Sequence, residues 1–243
     1  VIRVFIGAPA AGLDAELEMV VADSLLSRAT EAVQIHWMRT NDKPASFWHG
    51  WDLSACVTPF TPYRMGIPYY CRFEGRAIYL DCDMIVLDDI ADLWNIELPD
   101  GKVLAARGKG SWRLDVMLID CERIQPHMLP LDQLKKRDGF HRQNHYFARR
   151  PELIHSLGPA WNYLDHEDSG PLTGAKIVHL THLPTQPHRR MAMKRLAAEG
   201  RRHWYKGATI PHPRRDIQEL FDREYAAAIA AGHKPEDYYN DDE

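Results

Sequence analysis

Two aspartates one residue apart, Asp81 and Asp83, stand at the end of an apolar run: residues 76–88 read RAIYLDCDMIVLD. Such a short run, bounded by charge, predicts a buried strand of a parallel sheet. A folded interior does not hold two bare like charges side by side without several kcal/mol of penalty. A divalent cation is the natural group to neutralise them. A bare D-x-D is a common pattern in solvated turns and helix caps. Here, however, it follows a strongly apolar strand, and a second apolar run and a helix start (Asp88, Asp89, then IADLW) come directly after it. Open α/β sheets bind ligands outside the carboxyl ends of their strands, which is where this pair falls. A second strand candidate, AKIVHL over residues 175–180, carries His179 at its end, and an imidazole there can complete an oxygen-rich ligand set.

The elements that must hold these groups follow from the pattern. Residues 1–7 predict a first buried strand, then a loop of small residues (Gly7, Ala8, Pro9, Gly12). Asp14 is placed to cap a helix over 15–29, and a second strand covers 33–38. This βαβ opening carries neither G-x-G-x-x-G nor G-x-x-x-x-G-K-[ST], so dinucleotide and P-loop readings lack support. A helix over part of 63–72 is expected to be interrupted by Pro68. Further strands are expected at 103–106 and 116–120, and helical material at 132–150.

The 243 residues are 45% hydrophobic and 26% charged, which suits one large α/β domain with a basic helical C-terminal segment. The expected division is a catalytic unit over 1–187, a helical extension over 188–232 packed on it, and a disordered acidic tail over 233–243. A net charge of −4 gives no global attraction to nucleic acid. Cys56, Cys71, Cys82 and Cys121 show no C-x-x-C spacing and fit a reducing compartment. No window approaches about 18 continuous apolar residues, so the expected location is cytoplasmic.

The order of parts resembles the family 8 glycosyltransferases, retaining enzymes of the GT-A fold. The carrying segments are VFIGAP, then TPYRMGIPYYCRFEGRAIYLDCDMIVLDDIADLW, then IVHLTHLPTQPH. The resemblance implies a GT-A-like fold, a mostly parallel (mixed) central sheet flanked by helices. It implies a metal held by Asp81, Asp83 and His179, with Mn²⁺ or Mg²⁺ as the ion. It further implies a donor site at Gly7, Ala8, Arg64 and Cys82, with Gln143 beside the reacting sugar carbon. The implied activity is retaining transfer of a sugar from a UDP-sugar to a hydroxyl acceptor: a glycan, a glycolipid or a small molecule.

Departures from the family pattern matter as much. In the family's H-x-x-G-x-x-K-P-W, His182 replaces the glycine and Gln186-Pro187-His188 stand near Lys-Pro-Trp, shifted by one. The phosphate-contacting lysine is absent, and His188, Arg189 or Arg190 are the candidates to replace its charge. His182 and His188 are therefore counted with the donor site, and Asp115 either holds sugar hydroxyls or pairs with Arg113 or Arg107. The alternatives are a metal-dependent nucleotidyltransferase and a non-catalytic nucleotide-sugar binder. Residues 188–215 hold nine Lys or Arg and one Glu. That segment is either a solvated face or a peripheral membrane contact for an anionic or lipid-linked acceptor at the inner membrane surface.

Overall fold

The computed structural model describes residues 1–240. Three parallel strands form the first part of the main sheet: β1 (Ile2–Ala8) lies between β2 (Val33–Arg39) and β3 (Arg76–Asp81). The near-continuous apolar runs on β1 and β3 are buried on both faces, with Val4, Phe5, Ile6 and Ala77 to Leu80 at 0% exposure. Helix α1 (Ala15–Leu26) makes the crossover between β1 and β2. The sheet continues with β6 (Ser111–Asp120), β5 (Leu104–Lys109) and β7 (Ile154–Leu157), in the order β2-β1-β3-β6-β5-β7. Because β6 runs antiparallel to both β3 and β5, the sheet is mixed. A second sheet joins β4 (Met84–Val86), β9 (Ile177–His179) and β8 (Tyr163–Leu164).

The step from β3 to β4 is therefore a step between two sheets, and Asp81, Cys82 and Asp83 are the crossing. The crossing is pinned on both sides. The Cys82 N–H donates to the Gly7 carbonyl at 2.9 Å, and the Leu180 N–H donates to the Asp83 carbonyl at 2.9 Å. Met84 pairs with His179 in the antiparallel β4–β9 ladder. That register brings an imidazole more than ninety residues downstream up to the two carboxylates.

Short helices α2 (Ile67–Tyr70), α3 (Ile90–Trp94) and α4 (Leu131–Leu134) precede α5 (Gly139–Ala148), α6 (Arg189–Ala198) and α7 (Arg215–Ala230). Pro68 does not interrupt its helix: it occupies the first turn of α2, where its missing N–H would have no partner in any case. Asp14 does not cap α1, since its carboxylate instead accepts from His188, His203 and Trp204.

The C-terminal helices share a core with the main body. Ile217, Leu220 and Phe221 of α7 are buried together with Leu17, Val20, Ile85 and Val178. The tail does not hang free as far as Asn240. Residues 235–238 form a 3-10 turn, Tyr238 is buried edge-on against Trp37, and Arg39 donates to the Asn240 carbonyl. Its two tyrosines give it apolar surface to bury; the last residues, 241–243, lie outside the described part.

Candidate active site

His179 Nε2 lies 3.3 Å from Asp83 Oδ1 and 3.8 Å from Asp81 Oδ2. Ligand atoms from these three buried residues lie within 4.8 Å of one another. The other ring nitrogen, His179 Nδ1, is 3.2 Å from Asn162 Oδ1. That contact places the proton on Nδ1 when the ring is neutral and leaves the Nε2 lone pair facing the carboxylates, the orientation that metal-ligating histidines use. Asp83 Oδ1 is buried and accepts no hydrogen bond.

Arg64 is 3% exposed and sits between carboxylates. Its Nη2 donates to Asp81 Oδ1 and Oδ2 at 2.9 and 3.2 Å, and its Nη1 donates to Asp115 Oδ1 at 3.0 Å and the Leu114 carbonyl at 2.7 Å. The guanidinium also lies 4.6 Å from the Tyr79 ring centre, and the Tyr79 hydroxyl donates to Asp81 Oδ1.

The charges do not balance. Among the described residues, the ion-pair partners of Asp81, Asp83 and Asp115 are Arg64 and, when protonated, His179, with Arg113 adding positive charge near Asp115 from farther away. Burial, reinforced by Asp115 and Asp83, raises the Asp81 carboxyl to about 7 even against Arg64. Burial alone would lower the His179 imidazole, but Asp83, Asp115 and Asp81 overrule it and lift the ring to about 9. The cluster thus draws in protons to offset missing positive charge. A divalent cation in exchange for the His179 proton would set three positive charges against three negative. Two carboxylates and an imidazole, an unsatisfied carboxylate oxygen aimed inward and this deficit together fit a divalent metal ion.

The cluster forms one wall of a cleft of about 380 Å³, whose other walls include Asp115, Trp112, Phe140 and Asn144. Of the residues singled out from sequence, the fold brings Arg64, Asp81, Asp83, Asp115 and His179 together at this cleft. Gly7 and Ala8 lie behind it at the carboxyl end of β1. A Cβ on Gly7 would come within 2.8 Å of the Tyr79 hydroxyl and 2.9 Å of Phe60, so the glycine makes room for Tyr79. Cys82, in the middle of the crossing, is buried at 1% exposure. His182 packs its ring 4.2 Å from that of His166, between cleft residues Thr181 and Leu183.

Two expected donor contacts fall elsewhere. Gln143 is fully buried, and its amide is committed to backbone: Oε1 accepts from Leu129 N at 2.7 Å and Nε2 donates to the His127 carbonyl at 2.9 Å. The α5 register turns Gln143 inward and sends Asn144 to the cleft. His188 is also fully buried, 2.9 Å from Asp14 Oδ1, and burial pushes its imidazole down. Arg189 is turned inward as well. Part of the basic segment is drawn onto the protein. Arg189, Arg195, Arg201, Arg214 and Arg215 all lie in ion pairs, with Asp14, Glu16 or Glu199, Glu199, Asp216 and Glu219 respectively. Arg190, Lys194, Arg202 and Lys206 stay exposed. Among the described residues no helix is long and apolar enough to cross a membrane.

Sequence reasoning missed Asn162, which orients His179, and Gln186, whose Nε2 donates to Asp83 Oδ2 at 2.8 Å. The signal for Gln186 was present, since it stands beside the position of the absent lysine.

With this geometry in view, comparison with known sequences is decisive at the family level. The sequence profile of glycosyl transferase family 8 matches residues 27–162. The chain belongs to this family. General stress protein A of Bacillus subtilis (strain 168) is 37% identical over 59 residues, 24% of this chain and 21% of that protein, so the matched stretch is a small part of either. Among solved structures, the galactosyltransferase LgtC in complex with donor and acceptor sugar analogues superimposes with a TM-score of 0.59. It is 13% identical, over 93% of this chain and 96% of the other. The apo form of GlyE from Streptococcus pneumoniae TIGR4 gives a TM-score of 0.59 at 16% identity, over 94% of this chain and 62% of the other. At these identities the likeness establishes the GT-A-like fold.

Proposed function

We propose that this family 8 protein is a metal-dependent retaining glycosyltransferase that moves a sugar from a UDP-sugar to a hydroxyl acceptor. The observation that carries this reading is the convergence of Asp81, Asp83 and His179, short of positive charge, on the wall of an open cleft. Asp81, Asp83 and His179 would hold the ion, which supplies Lewis-acid stabilisation of charge on the departing nucleotide. Asn162 keeps Nε2 of His179 pointed at the carboxylates. Arg64 fixes Asp81 and Asp115 relative to each other, and its charge lowers the cost of keeping both ionised in a buried site. Asp115, partly open to the cleft, is the carboxylate placed to accept sugar hydroxyls. Trp112 and Phe140 offer the apolar surface a sugar face requires. The similar LgtC structure was solved with donor and acceptor analogues together, which supports a cleft that admits both.

A non-catalytic nucleotide-sugar binder is the second reading, favoured by the inward turn of Gln143 and by the absence of the lysine beside Gln186. A nucleotidyltransferase has less support, because Asp115, the nearest further carboxylate, is tied to Arg64. Incubation with Mn²⁺ and a panel of nucleotide sugars separates the first two. Release of UDP, with a product whose anomeric proton coupling matches that of the donor, supports the proposal. UDP binding without release supports the binder, and an inverted product rejects the retaining assignment.

A further inference from the structure

Gln186 can face only one way. Its amide oxygen accepts from Arg189 Nη2, and its nitrogen donates to Asp83 Oδ2 at 2.8 Å and to the Leu180 carbonyl at 2.7 Å. A guanidinium only donates, while a carboxylate and a carbonyl only accept, so an amide flip would break all three contacts at once. Arg189 is itself immobilised. It is 1% exposed, its Nε donates to the Leu183 carbonyl at 3.2 Å, and its guanidinium lies 4.6 Å from the Tyr205 ring centre and 3.9 Å from Asp14 Oδ1. The consequence falls on Asp83. Its Oδ2 accepts a hydrogen bond from the interior, while Oδ1 accepts none and lies 3.3 Å from His179 Nε2.

We infer that Gln186 is a positioning residue for the metal site: it locks the Asp83 carboxylate so that Oδ1 is the oxygen presented to the ion, and Arg189 holds Gln186 in that sense. This rests on the metal reading above. In this chain the side chain beside the expected lysine position is thus turned towards the protein. Outer hydrogen bonds of this kind change metal affinity by about 10- to 100-fold when removed.

The probe is Mn²⁺ alone, followed by loss of the free-ion EPR signal in the absence of nucleotide. Gln186→Met keeps the length of the side chain and removes the donor. Gln186→Glu keeps the shape and the pairing with Arg189 but turns an acceptor towards Asp83. Thr185→Val, next in sequence and without contact to Asp83, serves as the control for disturbance of the loop. The inference predicts about 10- to 100-fold weaker Mn²⁺ binding in Gln186→Met, weaker binding in Gln186→Glu despite its added negative charge, and unchanged binding in Thr185→Val. Tighter binding in Gln186→Glu would mean that charge, and not aim, governs the site, and would overturn the inference even if Gln186→Met fails to fold. Wild-type affinity in a folded Gln186→Met, or equal losses in Gln186→Met and Thr185→Val, would overturn it alone. Failure of the wild-type protein to take up Mn²⁺ would overturn the metal reading itself, and this inference with it.

Discussion

Replacing Arg64 with methionine removes the arginine shared by buried Asp81 and half-buried Asp115 while keeping most of its length. Arg64 contributes two contacts to Asp81, at 2.9 and 3.2 Å, and one to Asp115 at 3.0 Å. Breaking a buried ion pair by deleting one partner costs about 3–5 kcal/mol, because the remaining charge is left without compensation. Here a double contact is lost, but the protein has a relief. Asp81 already sits at about 7, so taking up a proton there is inexpensive at neutral pH. The lower end of the range, about 3 kcal/mol, is therefore expected for Arg64→Met by urea denaturation at pH 7. Added Mn²⁺ should close part of the gap. A ligand at a hundredfold its dissociation constant stabilises by about 2.7 kcal/mol. A site with one fewer fixed positive charge should bind the cation more tightly than wild type does. Mn²⁺ should therefore raise the stability of the variant more than that of the parent. A variant within about 1 kcal/mol of wild type, or one stabilised by Mn²⁺ no more than wild type, would refute this account of charge at the site.

Gln143→Ala should behave as a structural variant. It removes two hydrogen bonds to the backbone of residues 127–129 and should cost about 1–3 kcal/mol in denaturant titration, with UDP affinity by calorimetry unchanged. Asp168→Asn should loosen the β5–β6 hairpin from the segment after β8. Asp168 accepts from Arg107 at 2.5 and 2.8 Å, from Lys109 at 2.8 Å and from Leu164 N at 2.8 Å, and Arg107 leads in holding its carboxyl well below the usual range. A carboxyl with a depressed folded pKa stabilises above its unfolded value, about 4, and loses that contribution as pH falls below it. The variant should be about 2 kcal/mol less stable than wild type at pH 7, and the difference should shrink towards pH 3. A difference that stays constant across that range would show that the charge of Asp168 is not what matters.

The half of the site that lies on one continuous segment was legible in the sequence. An apolar strand ending in Asp81 and Asp83 follows from a continuous apolar run bounded by charge, and Arg64 lies only 17 positions before Asp81. His179 was legible because it also ends an apolar run. What sequence does not carry is the facing of a helix whose polar residues are adjacent. Gln143 and Asn144 are neighbours in α5 and differ by about 100° in direction, so a one-residue rotation exchanges the cleft for the interior. Nor does it reveal how a charge run is consumed. Arg189 and Arg195 read as part of a cationic surface until their partners Asp14 and Glu16 are brought to them by packing of α6 on α1. Asp14 illustrates the same limit: its position before a helix predicts a cap, and two histidines and a tryptophan from far along the chain claim it instead.

The central claim is that Asp81, Asp83 and His179 hold a divalent ion through which a nucleotide diphosphate is bound. Calorimetric titration of the full chain with UDP, once in Mn²⁺ and once in chelator, tests it most directly. The account predicts saturable binding in Mn²⁺, little or none in chelator, and loss of the Mn²⁺-dependent binding in Asp83→Asn, which removes one anionic ligand. Equal UDP affinity in Mn²⁺ and in chelator would contradict it.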